Sequence, residues 1–117
     1  MNIQIFGHKK CSETKKAERF FKERNVPFQS INMLEKMMSK GEFQSISAAI
    51  SPDRLINTES KEFEKQNLRY MQYSVENKLM ENPLLFKTPV VRNGKKATAG
   101  YDPETWKNWI EDERKGK

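Results

Sequence analysis

One cysteine and one histidine are the only thiol and the only imidazole in this chain of 117 residues. A single thiol closes no internal disulfide, and one thiol with one imidazole supplies no soft-ligand set for a zinc site, so disulfide scaffolds and zinc centres of that kind are excluded and no metal site is expected. Long apolar runs are missing too. The stretch Met1 to Lys10 holds Ile3, Ile5 and Phe6 in an interrupted pattern, far too short for a signal peptide or a membrane span, so no membrane partner and a cytoplasmic location are expected. Glycine and proline, five each, are scattered and form no low-complexity tract. No phosphate loop of the G-x-x-x-x-G-K-[ST] type occurs, which leaves nucleotide hydrolysis without support. A cysteine-phosphatase loop would need arginine six residues past Cys11, and that place is Ala17.

What is present is charge. Lys and Arg number 22 against 16 Asp and Glu, a formal +6. Two segments carry the excess: His8 to Arg24, with seven bases against three acids, and Lys87 to Lys96, with four bases and no acid. Brought together by the fold, they would make a positive rim attractive to anions, to acidic partners or to a thiolate; the alternative is lysines that solvate a helix face. Bases and acids otherwise interleave and no groove-reading helix is evident, so direct nucleic-acid binding is not expected.

The length suits one domain, spanning 1–117. Asn2 to Phe6 alternates ahead of Gly7 and predicts a strand; Ala17, Phe20 and Phe21 predict a helix from about Ser12 to Arg24, ended by Asn25; Val26 to Ile31 predicts a second strand. A β-α-β opening implies parallel pairing. From Met33 to Pro83 short helices each carry a start signal: Ser39 with Glu42 as a capping box, Ser51 before Pro52, and Ser74. The methionines of this block read as core filler rather than a binding groove. Thr88 to Val91 and Ala97 to Ala99 flank Asn93-Gly94, a hairpin signal whose central residues need positive φ. Asp102-Pro103-Glu104 then opens a last helix with Trp106, Trp109 and Ile110 on one face.

Cys11 falls between the first strand and the first helix. A helix N-terminus presents unpaired N–H groups and partial positive charge, and His8, Lys9, Lys10, Lys15 and Lys16 surround the sulfur in sequence, so a readily ionised, reactive thiol is expected. The competing reading is a buried, inert cysteine, which polar neighbours on both sides disfavour. His8 as a base for Cys11 is not expected, because the two need not converge across a strand end. Glu59, Glu62 and Glu64 alternate with Lys61 and Lys65 and read as a solvated helix face rather than paired catalytic carboxylates.

Order and spacing of these pieces resemble the arsenate reductase (ArsC) and Spx family: Ile3 to Gly7 then Cys11, Lys15-Lys16-Ala17, Leu55 to Thr58 then Ser60-Lys61 and Phe63, Asn82 to Leu85 then Thr88 to Val91, and Gly100-Tyr101. The resemblance implies an α/β, thioredoxin-like fold of glutaredoxin type, β-α-β and β-β-α in residues 1–34 and 84–117, with a helical insertion at 35–83. It also implies a cis Pro89 beside the cysteine, and so the basic segment from Lys87 near the one around Cys11.

Three departures matter. Positions that are usually arginine in the family read Glu59, Thr88 and Ala99-Gly100 here, and a carboxylate in a cation's place repels arsenate, which argues against arsenate reduction. Thr88-Pro89 is similar to the glutaredoxin and thioredoxin pair that aligns a partner backbone. Thr14 stands where some relatives carry a second cysteine. The implied function is a monothiol oxidoreductase with Cys11 as nucleophile, Lys9, Lys10 and Thr14 stabilising its thiolate, and Thr88 and Pro89 in thiol binding. It would bind no resident cofactor; glutathione or another external thiol would resolve its adducts with small thiols or protein disulfides. The alternative is an Spx-like regulator that binds the C-terminal domain of the RNA polymerase α subunit. A monomer is expected in either case.

Overall fold

Alternation in the first strand decides the architecture. In the computed structural model, which describes residues 1–115, Ile3 and Ile5 of β1 (Ile3–Gly7) join one hydrophobic cluster and Phe6 joins another. Successive side chains of a strand point to opposite faces, so β1 carries a core on each side. It pairs in parallel with β2 (Phe28–Asn32) and antiparallel with β3 (Val90–Asn93), which pairs antiparallel with β4 (Lys96–Ala99); the order is β2-β1-β3-β4. Val91 joins the side of Ile3 and Ile5, and Val90 the side of Phe6.

Two helices cover the first face, α1 (Ser12–Glu23) and the C-terminal α6 (Pro103–Lys115, numbered last). Their contact is aromatic. Phe20 and Phe21 each lie 5.3 Å from the ring of Trp106, and each such pair adds about 0.5–1.5 kcal/mol beyond area burial. The indole N–H of Trp106 donates to Oγ1 of the buried Thr98 at 2.8 Å, which satisfies two polar groups that burial would otherwise penalise.

The helical block covers the other face: α2 (Lys40–Ala49), α3 (Pro52–Leu55), α4 (Lys61–Lys65) and α5 (Val75–Glu81), with 3-10 turns at Leu68–Tyr70 and Pro83–Leu85. The Ser39–Glu42 capping box forms with both of its hydrogen bonds, Ser74 accepts from Asn77 N, and Ser51 precedes an N1 proline without a side-chain bond. Met33 and Met38 are core residues, while Met71 is 52% exposed. Arg92, in register with Gln4, donates to its Oε1 at 3.0 Å and to Ser45 Oγ at 3.1 Å, tying α2 to the sheet. This is the thioredoxin-like α/β fold that the sequence implies.

Two expectations shift. Strands β3 and β4 do form a hairpin, but its central residues are Gly94 and Lys95, and only Gly94 has positive φ (61°). A glycine at the first central position alone is the type II′ pattern, so the turn is one residue later than Asn-Gly suggests. The basic segments also fail to merge. Because β3 runs antiparallel to β1, only Lys87 and Thr88 arrive at the Cys11 end; Asn93 sits opposite Ile3, and Lys95 and Lys96 lie at the far end of the sheet. No helix among the described residues is long and apolar enough to cross a membrane.

Gly7 ends β1 where α1 passes closest. A β-carbon there would lie within 2.9 Å of Thr14 Cβ and nearer still to its γ atoms. Gly7→Ala is expected to cost about 1–3 kcal/mol in urea denaturation, and Gly7→Ala with Thr14→Ala to recover part of that loss.

Candidate functional site

Cys11 is the N-cap of α1, with extended backbone (φ −94°, ψ 111°), and its amide donates to His8 O at 3.1 Å. The side chain makes no capping bond to its own helix. It points instead to Thr88, 77 residues away in sequence: Thr88 Oγ1 lies 3.0 Å from Sγ as donor, and Thr88 O lies 3.6 Å away as acceptor of the thiol proton. The cysteine is half-buried rather than sealed, and Pro89, which follows a cis peptide bond, is buried behind Thr88. Among the described residues, the hydrogen-bond partners of the sulfur are both on Thr88.

The two Thr88 contacts favour opposite states of the sulfur. A neutral thiol donates to the carbonyl; a thiolate cannot, but it accepts a charge-assisted bond from the hydroxyl. One residue therefore serves the sulfur before and after it loses its proton.

An open cleft of about 360 Å³ is lined by Cys11, His8, Thr88, Leu84 and Phe86 together with residues of the insertion. Backbone bonds hold those walls together: Asn57 N to Leu85 O at 2.7 Å, Lys87 N to Leu55 O at 2.7 Å, and an antiparallel bridge between Ile56 and Phe86. They bring α4 to the border of the cleft. Ser60 caps it, accepting from Phe63 N at 3.1 Å and donating to Asn57 O at 2.8 Å, and Phe63 is buried beneath it. Lys61 and Lys65 line the cleft, with Glu62 between them in the helix.

The residues expected around the thiol separate. Lys9 and Thr14 line a different depression, of about 260 Å³, beside Gly7, Lys15 and Asn32. Thr14 is 5% exposed, packed over Gly7, and its Oγ1 has no hydrogen-bond partner. Lys10 is exposed and lies close enough to His8 to oppose its protonation. Glu59 is exposed on the loop before α4, its amide bonded to Asn57 Oδ1, and does not border the cleft. His8 is named by its place beside Cys11 and Asn57, Ser60 and Lys61 by the family resemblance, but Lys61 and Lys65 as cleft cations are what local patterning misses, since it reads them as a solvated face. The i, i+4 spacing of the two lysines puts them on one helical face, but which face meets the cysteine is set by tertiary contacts.

His8 is held below its ordinary value of 6.5, first by burial and then by the charge of Lys10. The unfolded chain binds a proton in that interval that the folded chain does not, so stability is full above 6.5 and is lost as pH falls toward the lowered value. The wild type is expected to lose more stability than His8→Gln between about pH 7.5 and about pH 5.5, read as urea midpoints. Lys10→Gln should narrow the loss only in part, since burial is the larger cause.

The ArsC family model matches residues 6–109, which takes in Cys11, Thr88 and the whole insertion. The chain is 28% identical to global transcriptional regulator Spx 2 of Oceanobacillus iheyensis, over 94% of this chain and 84% of that one. It is 22% identical to YusI of Bacillus subtilis, over 93% and 99%. Among solved structures, the YffB (PA3664) protein superposes with a TM-score of 0.80 at 17% identity, covering 91% of this chain and 96% of its own. An arsenate reductase from Vibrio cholerae superposes with a TM-score of 0.76 at 22% identity, covering 90% and 94%. With the match running from the end of β1 into α6, and with the cysteine and its threonine partner inside it, the chain belongs to the ArsC family.

Proposed function

We propose that the chain is a cytoplasmic monothiol oxidoreductase acting by thiol–disulfide exchange at Cys11. The observation that carries this reading is the half-buried sulfur at a cleft mouth, with a hydroxyl donor 3.0 Å away that strengthens its bond when the sulfur is ionised. In the first step the Cys11 thiolate attacks one sulfur of a disulfide or glutathione adduct. A bond forms to Cys11, the original sulfur–sulfur bond breaks, and the departing thiolate takes the electron pair and then a proton from water. With Thr14 in the place of a second cysteine, the adduct on Cys11 is released by an external thiol such as glutathione, whose attack restores Cys11 and leaves a new disulfide. Thr88 aligns the partner backbone against the sulfur.

Arsenate is a poor fit to this cleft. Among the described residues its only cationic side chains at neutral pH are Lys61 and Lys65, and no guanidinium borders it. Ammonium groups act as point charges and lack the paired, planar donors that grip an oxyanion.

A second reading has a specific support. The 28% identity to a protein named as a global transcriptional regulator, over nearly the whole chain, favours a regulator, and the resemblance to Spx proteins implies the RNA polymerase α subunit as its docking partner. The insertion also exposes Tyr70 (81%) and Met71 (52%), side chains suited to a protein contact.

Turnover of a glutathionylated peptide with glutathione separates the two. Cys11→Ser is expected to abolish it, and Thr88→Val to slow it about tenfold, the value of one hydrogen bond to a charged group. Absence of turnover in the wild type, together with equal binding of the purified α C-terminal domain by wild type and Cys11→Ser, would replace the enzyme by the regulator.

A further inference from the structure

We propose that Lys61 and Lys65 form an anion clamp that selects small disulfides carrying carboxylates, with specificity set by α4 rather than by the lysines around Cys11. The assignment rests on the exchange reading above and adds the substrate class. Lysines four apart stand on one face of α4, and that face borders the same cleft as the sulfur. The helix is pinned. Phe63 is 3% exposed in the core, Ser60 caps the first turn, and Arg69 lies over the Phe63 ring at 5.7 Å while donating to Thr58 O at 3.3 Å.

Neither lysine is spent on an internal partner. The ion pairs among the described residues are Met1 with Glu113 and Lys78 with Glu81. Glu62, the one carboxylate at the cleft, accepts from Gln66 Nε2 at 3.4 Å. Leu84 and Phe86 add apolar wall to the cleft that the lysines share with the thiol. A ligand matched to this wall has an uncharged stem beside its sulfur and carboxylates beyond it. The volume, about 360 Å³, lies in the range of small-molecule sites. Three freely rotating donors on each ammonium suit carboxylates at variable positions.

The step probed is a single exchange: Cys11 thiolate joins one half of the disulfide, and the other half leaves as a thiolate with the electron pair. Second-order rate constants are measured for the dicarboxylate probe dithiobis(nitrobenzoate) and for the uncharged probe dithiodipyridine. Their ratio cancels the reactivity of the thiol itself. In Lys61→Gln/Lys65→Gln the ratio is expected to fall about fivefold to tenfold and to lose most of its salt dependence, as removal of two nearby charges requires. Lys95→Gln/Lys96→Gln, which removes the same charge at the far end of the sheet, is expected to keep the ratio within about twofold.

An unchanged ratio in the first variant, or an equal fall in both, overturns the clamp. Oxidised glutathione and an acidic peptide disulfide then separate two sources of carboxylate. Lysine dependence with oxidised glutathione supports the small-adduct assignment, and dependence confined to the peptide overturns it. Because the measurement is stoichiometric, a lysine-dependent ratio without catalytic turnover would remove the enzyme reading alone, and turnover without that dependence would remove the clamp alone.

Discussion

The contact between Cys11 and Thr88 is the constraint on which the site depends, and it exists because β3 runs antiparallel to β1. An antiparallel neighbour delivers its first residues to the end where β1 stops, so Thr88 meets the turn that follows Gly7. Val90 opposite Phe6 and Val91 opposite Ile5 fix the alignment. A slip of one residue would turn Val90 and Val91 to the wrong faces, exchanging their places between the methionine-rich core and the aromatic one, and would carry Thr88 about 3.4 Å along the strand. Hydrophobic burial thus holds a polar contact in place. The distance from hydroxyl to sulfur is maintained by two fully buried valines that touch neither group's chemistry.

The second wall of the cleft is held by different means. Residues 55 to 57 and 85 to 87 exchange backbone bonds at both ends of the Ile56–Phe86 bridge, so the insertion is stitched to the segment that leads into Thr88. One short stretch of chain therefore positions the hydroxyl and, through its neighbours, α4 with its two lysines. Movement of the insertion against the sheet would have to break these bonds, which makes thiol and cations a single geometric unit.

Much of this fold was legible from local chemistry. The Ser39 box, the Ser74 cap, the proline at 103 and the parallel opening all follow from what a helix end or a crossover requires, and those requirements are met within a few residues. Asn25, expected to end the first helix, does so with positive φ (56°). The hairpin was legible in kind but not in register, because Asn-Gly and Gly-Lys are both workable turn centres and strand pairing decides between them. Distribution of charge was the least legible. Sequence proximity placed Lys9, Lys10 and Thr14 beside the thiol and left Lys61 and Lys65 in solvent. The topology sends Lys9 and Thr14 to another depression and brings the insertion lysines to the border of the sulfur's cleft. A net charge of +6 is thus a poor guide to the field at the site, since the hairpin lysines lie at the opposite end of the sheet.

Thr14 links the local packing to the chemistry. Its hydroxyl is buried without a partner, an arrangement that costs about 1–3 kcal/mol and is accommodated because Gly7 leaves room for the side chain. That position, one helical turn beyond Cys11, is where a second thiol would have to stand to release an adduct from within. A hydroxyl there cannot attack a disulfide under the conditions in which a thiolate does. In the exchange reading proposed above, an adduct on Cys11 is then reached from outside, along a path that stays free while the first ligand is attached. The geometry meets that condition: the sulfur is half-buried, and its cleft is open along a rim that includes the exposed Leu84. A closed pocket would suit a two-thiol site, which needs no second visitor, whereas a one-thiol site works only with its entrance open.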